Sequence, residues 1–389
     1  MSVRRIYFDN AATTPLDPRV LEPMTAAFAQ VFGNPSSLHA DGRRAREAVD
    51  LARERVAALL GTKPAEIRFT SGGTESNNLA VRGVVGSSST VACHLITTAI
   101  EHPSILEVCR GLSPRPVQVT RLPVGQDGIL DPDDLRRAIT SETRLISIMA
   151  ANNVVGTLQP IDDCGRIALE HGIPFHVDAT QAVGKIPLDV NRCGIDLLSF
   201  SAHKIYGPKG VGALFVREGT SFVSFIGGGG QEHGRRSGTE NVPGIVALGA
   251  AAELCRQEMA EESARIVRLR GRLAGRLLDA VPEAYLIGHC YYRLPGLACF
   301  GFDGLEGQAI RLMLALDEAG VSVSTGSACS SNHAAQPSHV LSAMGFDPLR
   351  ARGSLRVSLG RFSTEEEVDS FVDLLAPLVR DLSPMVSRN

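Results

Sequence analysis

From residue 66 to residue 216, short apolar runs alternate with stretches of helical spacing, and this alternation constrains the fold more than any other feature of the chain. The runs are Glu66–Thr70, Leu95–Thr98, Val117–Leu122, Arg144–Met149, Phe175–Val177, Asp196–Phe200 and Gly212–Val216. Helical stretches fall among them at Thr74–Val85, Pro103–Arg110, Pro132–Ile139 and Asp162–His171. Strands recurring with helices between them predict an α/β fold around a mostly parallel, seven-stranded sheet. Ligands of such sheets sit beyond the carboxyl ends of the strands, so the residues that follow each run matter most.

At 389 residues the chain is too long for one simple core. A helix at residues 41–60, stopped by Gly61, precedes the alternating block. After that block the pattern changes. Pro243–Met259 and residues 262–280 read as two helices, Leu297–Phe302 as a strand, Gly307–Ala319 as a helix and Val321–Ser324 as a strand. Ser363-Thr364-Glu365-Glu366-Glu367 is a capping-box opening for a last helix. The expected division is a large domain at 16–262 and a smaller α+β domain built from 1–15 and 263–389.

The formal net charge is −3, and arginines stand beside glutamates, as in Arg43-Arg44-Ala45-Arg46-Glu47. Neither nucleic acid nor a membrane surface is an expected partner. No apolar run approaches a membrane span. The start, Met1-Ser2-Val3-Arg4-Arg5, leads into Ile6-Tyr7-Phe8-Asp9 without an apolar signal region, so a cytoplasmic location is expected. None of the eight cysteines forms a C-x-x-C pair, and no resident metal is expected. Cys93, Cys109, Cys164, Cys193, Cys255, Cys290 and Cys299 lie mostly in helical or strand-like runs and read as structural. Cys329 differs. Its neighbours from Ser324 to Asn332 are small and polar, which predicts an exposed, mobile loop at about 324–337 with a reactive thiol.

Three further segments suggest one binding site. Ser71-Gly72-Gly73-Thr74-Glu75-Ser76 follows a strand and opens a helix, where backbone N–H groups and the helix dipole favour an anion. Alone it could be an ordinary turn, and it is neither a P-loop nor a dinucleotide fingerprint. Asp178 ends an apolar strand, where it could hold a protonated ring nitrogen or merely cap a helix. Lys204 is one of only four lysines, against 35 arginines, and it sits between an apolar run and a glycine-rich turn. Partial desolvation there would lower its pKa and favour imine chemistry. An anion cradle, a carboxylate and a lysine on neighbouring strand ends are what pyridoxal phosphate requires.

The chain resembles the cysteine desulfurases of the NifS/IscS type, in the class V aminotransferase group of pyridoxal-phosphate enzymes. The resemblance runs nearly end to end. It is carried by Tyr7–Pro15, Phe32–Ser37, Ser71–Asn78, Glu101-His102, Asn152-Asn153, His176–Gln181, Ser201–Gly210, Arg236–Thr239, Gly326–Cys329 and Arg356–Arg361. It implies the type I fold of these enzymes. Lys204 would bind the cofactor covalently and move the substrate α-proton, Asp178 would pair with the ring nitrogen, and Gln181 would meet the phenolic oxygen. His102 would stack on the ring and shuttle protons. Gly73, Thr74, Ser201 and His203 would hold the phosphate, helped by Thr239 from the other subunit of a homodimer. Asn153, which also lies against the cofactor, would hold the substrate with Arg356 and Asn10.

The implied reaction converts L-cysteine to L-alanine and leaves sulfane sulfur on Cys329 as a persulfide, destined for an acceptor or scaffold protein. Cys329 could also ligate an iron–sulfur cluster transiently. Three departures touch partner and rate. Val154 replaces a frequent glutamate, Ala202 replaces a frequent glycine, and the tail after Leu382 is short. A selenocysteine lyase, another pyridoxal-phosphate enzyme and a non-catalytic scaffold are the alternatives. The destination of the sulfur, whether iron–sulfur clusters, tRNA thiolation, other cofactors or DNA phosphorothioation, is open at this level.

Overall fold

The computed structural model describes residues 5–87, 93–112, 117–326 and 337–386. All seven apolar runs become strands of one sheet, spatially ordered Ile67–Thr70, Gly212–Val216, Leu197–Ser201, Phe175–Asp178, Thr143–Met149, Cys93–Thr98, Val117–Leu122. Neighbours run parallel except around Gly212–Val216, which is antiparallel to both of its partners. Every residue of Phe175–Asp178 and Leu197–Ser201 is buried. That burial on both faces explains why the central strands read as continuous apolar runs rather than alternating ones.

Helices Gly73–Ser87, Pro103–Arg110, Pro132–Ala138 and Ile161–Glu170 fall where expected, within a residue or two. The helix Ala40–Leu60 ends at Gly61 in the left-handed conformation, φ 68°. The two helices expected at Pro243–Met259 and 262–280 are one, Val242–Ala280, 39 residues long. Met259-Ala260-Glu261-Glu262 contains no helix breaker, so the chain continues helical across the boundary expected at 262/263. A helix at Pro18–Gln30, capped by Asp17, was not expected.

A second, antiparallel sheet has the order Ser324–Thr325, Leu355–Ser358, Leu297–Phe302, Ala284–Ile287. The run expected as one strand at 321–324 is split. Val321–Ser322 pairs instead with Ile6–Tyr7 in a separate two-stranded ribbon. The large sheet packs a core around residues such as Ile148, Phe175, Phe200 and Phe215. The smaller sheet packs another around Phe8, Phe300, Phe302 and Phe371.

Arg361 fastens these parts together. Its guanidinium, 9% exposed, lies 2.7 Å from Asp17 Oδ2 and 2.7 Å from Glu262 Oε2. Burial pushes the Asp17 carboxyl up, but hydrogen bonds from Arg19 and Arg361 outweigh it and hold the group well below the usual carboxylate range. Removing Arg361 would leave Glu262 uncompensated in a dry setting and take from Asp17 one of its two guanidinium partners, the other being Arg19. Arg361→Ala is expected to cost about 3–5 kcal/mol in urea unfolding. A loss below about 1 kcal/mol would mean that water readily replaces the guanidinium.

Candidate active site

A cavity of about 380 Å³ opens beyond the carboxyl ends of the central strands. Its size suits a small-molecule site. Gly73, Thr74, His102, Asn153, Asp178, Gln181, Ser201, His203, Lys204 and Arg356 all line it. Residues far apart in sequence meet there because parallel strands deliver their following loops to one edge.

Asp178 ends its strand with Oδ2 accepting from Asn77 Nδ2 at 2.8 Å and Oδ1 accepting from the Thr180 N–H at 3.0 Å. Lys204 lies in the short 3₁₀ turn after Leu197–Ser201. Its Nζ donates to the carbonyls of Ala11 at 2.5 Å and Ala12 at 2.8 Å. The turn is completed by Tyr206 at φ 65°, a left-handed value that costs a bulky residue free energy. Thr14 Oγ1, which accepts from the Tyr206 N–H at 2.8 Å, and Asp17, which donates its N–H to Tyr206 O at 3.0 Å, hold it there. Gln181 donates to the Ala11 carbonyl at 2.9 Å and accepts from Lys185 Nζ at 3.3 Å. Burial, then the nearby charges of Lys204, Lys209 and Lys185, push His203 down to about 4.

His102 caps the helix Pro103–Arg110, with Nδ1 accepting from the Ser104 N–H at 3.1 Å. The preceding Glu101 is fully buried. Burial pushes its carboxyl up to about 8 against hydrogen bonds from the Thr98 hydroxyl and the Met149 N–H. A raised value means that the native state holds this proton more tightly than the unfolded chain. Stability from Glu101 is therefore complete below about 4.5 and drains as pH rises to about 8. Buried His94 and His176 and half-buried His203 are pushed down and act with the opposite sign, so the comparison needs a variant. Between about pH 5.5 and pH 7.5, wild type is expected to lose roughly 2 kcal/mol relative to Glu101→Gln in urea unfolding. Parallel pH profiles for the two proteins would refute this.

At the other wall, Arg356 donates to the Asn153 carbonyl and to Asp9 Oδ1, both at 2.9 Å. Its Nε is buried without a hydrogen-bond partner. Thr180 Oγ1 is also buried and unpartnered.

The residues present fit pyridoxal phosphate. The first turn of Gly73–Ser87 presents backbone N–H groups at the cavity, beside Ser201 and His203. A Cβ on Gly73 would come within 2.9 Å of Thr180 Oγ1, so glycine keeps the cradle open. The carboxylate of Asp178 and the amine of Lys204 line the same cavity, as a ring and its substituents would require.

The remaining site expectations fall elsewhere. Asn10 lines a smaller cavity behind Ala11 and spends its amide on the Ser358 carbonyl at 2.8 Å. Thr239 is exposed and does not line the 380 Å³ cavity. Cys329 lies outside the described residues. The sequence reading did not single out Asp9, Asn77, Ser104 or Thr180, all of which line the cavity. For Asn77 a signal existed: it stands three residues after Thr74, on the same helix face.

Residues 6–371 match the class-V aminotransferase family. A cysteine desulfurase IscS from Dictyoglomus turgidum is 48% identical over 379 residues, 97% of this chain and 95% of that protein. Among solved structures, a NifS-like protein superposes with TM-score 0.90 at 40% identity, covering 97% of this chain and 100% of the other. SspA in complex with cysteine gives TM-score 0.80 at 37% identity, covering 92% and 100%. Full-length similarity at this level, on a fold with the same architecture, leaves no ambiguity of kinship: the chain belongs to the class-V aminotransferase family and, within it, to the cysteine desulfurases.

Proposed function

We propose that this enzyme converts L-cysteine to L-alanine with pyridoxal phosphate and carries the released sulfur as a persulfide on Cys329. The observation that carries the reading is one cavity holding Lys204, Asp178 and Arg356, in a chain 48% identical over nearly its whole length to a cysteine desulfurase. When bound, the cofactor supplies a ring that takes up the electron pair released at the substrate α-carbon.

The chain's own residues do the rest. Arg356 and Asn153 grip the substrate carboxylate, for which the guanidinium fork is the natural partner. Lys204 Nζ takes the α-proton and later returns one to carbon. Asp178 and Gln181 would hold the ring nitrogen and phenolic oxygen, and His102 would cover the ring, since all three line the cavity. Gly73, Thr74, Ser201 and His203, which line the cavity, would receive the phosphate, and Thr239 of a second copy would complete that end. The Cys329 thiolate attacks the substrate sulfur: an S–S bond forms as the C–S bond breaks, and the β-carbon gains a proton. Atoms balance without an outside oxidant, since cysteine plus thiol gives alanine plus persulfide.

The same reading makes 16–262 the cofactor domain and 1–15 with 263–389 the domain that carries the cysteine loop. It makes the enzyme a cytoplasmic homodimer that hands sulfur to a protein acceptor. In the described residues no helix is long and apolar enough to cross a membrane. The test is stoichiometric. Purified protein given L-cysteine should release alanine while the Cys329 peptide gains the mass of one sulfur atom. Alanine without sulfur on Cys329, or no alanine, overturns the proposal.

A further inference from the structure

We infer that Asn77 and Ser104 are positioning residues that fix His102 as its Nε2–H tautomer and tie that choice to the carboxylate of Asp178. The inference rests on the reading of this cavity as the active site, but the hydrogen bonds that carry it stand on their own.

The chain of contacts has a direction. The Ser104 backbone N–H can only donate, and it points at His102 Nδ1 from 3.1 Å, so Nδ1 must offer a lone pair. Ser104 Oγ lies 2.8 Å from the same nitrogen. That oxygen accepts from Asn77 Nδ2 at 2.8 Å, which leaves its proton for Nδ1. The second proton of the Asn77 amide goes to Asp178 Oδ2, also at 2.8 Å. Turning the amide over would set its carbonyl against a carboxylate. The charge on Asp178 therefore orients Asn77, Asn77 orients the Ser104 hydroxyl, and two donors converge on Nδ1.

Asn77 is 1% exposed, yet its Oδ1 has no hydrogen-bond partner. A buried, unsatisfied carbonyl is costly. What the buried amide supplies in return is its NH₂ group, both of whose protons are used. A proton on Nδ1 would break the contact from the Ser104 N–H, which caps the helix Pro103–Arg110, and would reverse the contact with the Ser104 hydroxyl. Any proton that His102 gives or takes must then pass through Nε2, the nitrogen left for the cavity. The arrangement also couples the two walls of the site: the residue set against the ring nitrogen dictates which nitrogen of the facing imidazole is protonated.

The test is nitrogen NMR on the cofactor-loaded enzyme labelled with ¹⁵N-histidine, with the His102 signals assigned by their loss in His102→Gln. The expected result is an unprotonated Nδ1 and a protonated Nε2. A proton on Nδ1, in either a neutral or a charged ring, overturns the inference. Ser104→Ala removes one of the two donors and should shift the tautomer ratio towards Nδ1–H by roughly threefold to tenfold. Ser104→Thr keeps the hydroxyl and should restore it. Asn77→Leu should shift the ratio in the same direction as Ser104→Ala; should it fail to fold, the Ser104 pair decides. A ratio unmoved in Ser104→Ala refutes the role of the hydroxyl chain whatever the activity does. A retained tautomer pattern in an enzyme that makes no alanine would refute only the proposed reaction.

Discussion

Lys204→Ala is expected to lose at least about 10⁴-fold in alanine formation from L-cysteine, with the fold intact. Of the four lysines, Lys204 alone lines the cavity, and its amine donates to the carbonyls of Ala11 and Ala12. Carbonyl partners hold the amine at the cavity wall, where it can move a proton. No neighbouring amine can take its place. Lys185 lies in the second cavity, with Nζ donating to the far side of the Gln181 amide. Lys204→Arg should not recover the rate, because a guanidinium stays protonated and cannot act as the base. Pre-steady-state measurement of alanine formation checks both variants. A loss under about 10²-fold in Lys204→Ala would mean that another group moves the α-proton.

Cys329→Ser should separate the two halves of the reaction. Exchange of the substrate α-proton with deuterium from solvent should continue at a rate close to wild type. Alanine formation should fall at least about 10³-fold, because a serine hydroxyl is not ionised near neutral pH and does not attack sulfur. The other cysteines cannot rescue it. Burial pushes the thiols of Cys109, Cys164, Cys193 and Cys255 up to about 12 and that of Cys299 up to about 11. Such thiols hold almost no thiolate, the reactive form. Cys93 is buried and Cys290 is exposed, and neither lines the cavity. Loss of α-proton exchange together with alanine would instead assign Cys329 a part in binding or folding.

How much of this was legible in the chain depended on whether the signal was local. Each strand of the large sheet is a short apolar run bounded by polar or glycine residues, so all seven could be read directly. Their order in space could not, and neither could the antiparallel setting of Gly212–Val216, since register and direction are set by contacts between distant segments. The Pro18–Gln30 helix was overlooked although Asp17-Pro18 is a proper start, because Pro23 interrupts the pattern six residues in. Lys204 and Asp178 announced themselves by residue type and by position at strand ends. Asn77 and Ser104 did not. An asparagine and a serine near helix starts are commonplace, and only the fold brings Asn77 within 2.8 Å of a carboxylate 101 residues away. Asn10 shows the converse: a polar residue within a telling motif whose amide is spent on the Ser358 carbonyl.

The segment that holds Lys204 has a consequence for how the enzyme is made. Ala11 is itself held from far along the chain. Phe8 and Asn10 exchange backbone hydrogen bonds with Ser358, and the Ser358 hydroxyl accepts from the Ala11 N–H at 2.8 Å. A ribosome delivers the N-terminus first and residue 358 nearly last. The large sheet can assemble while translation continues, yet the carbonyl seat for the lysine amine cannot. The seat of the lysine amine is thus completed late, only once residue 358 has reached the segment around Ala11.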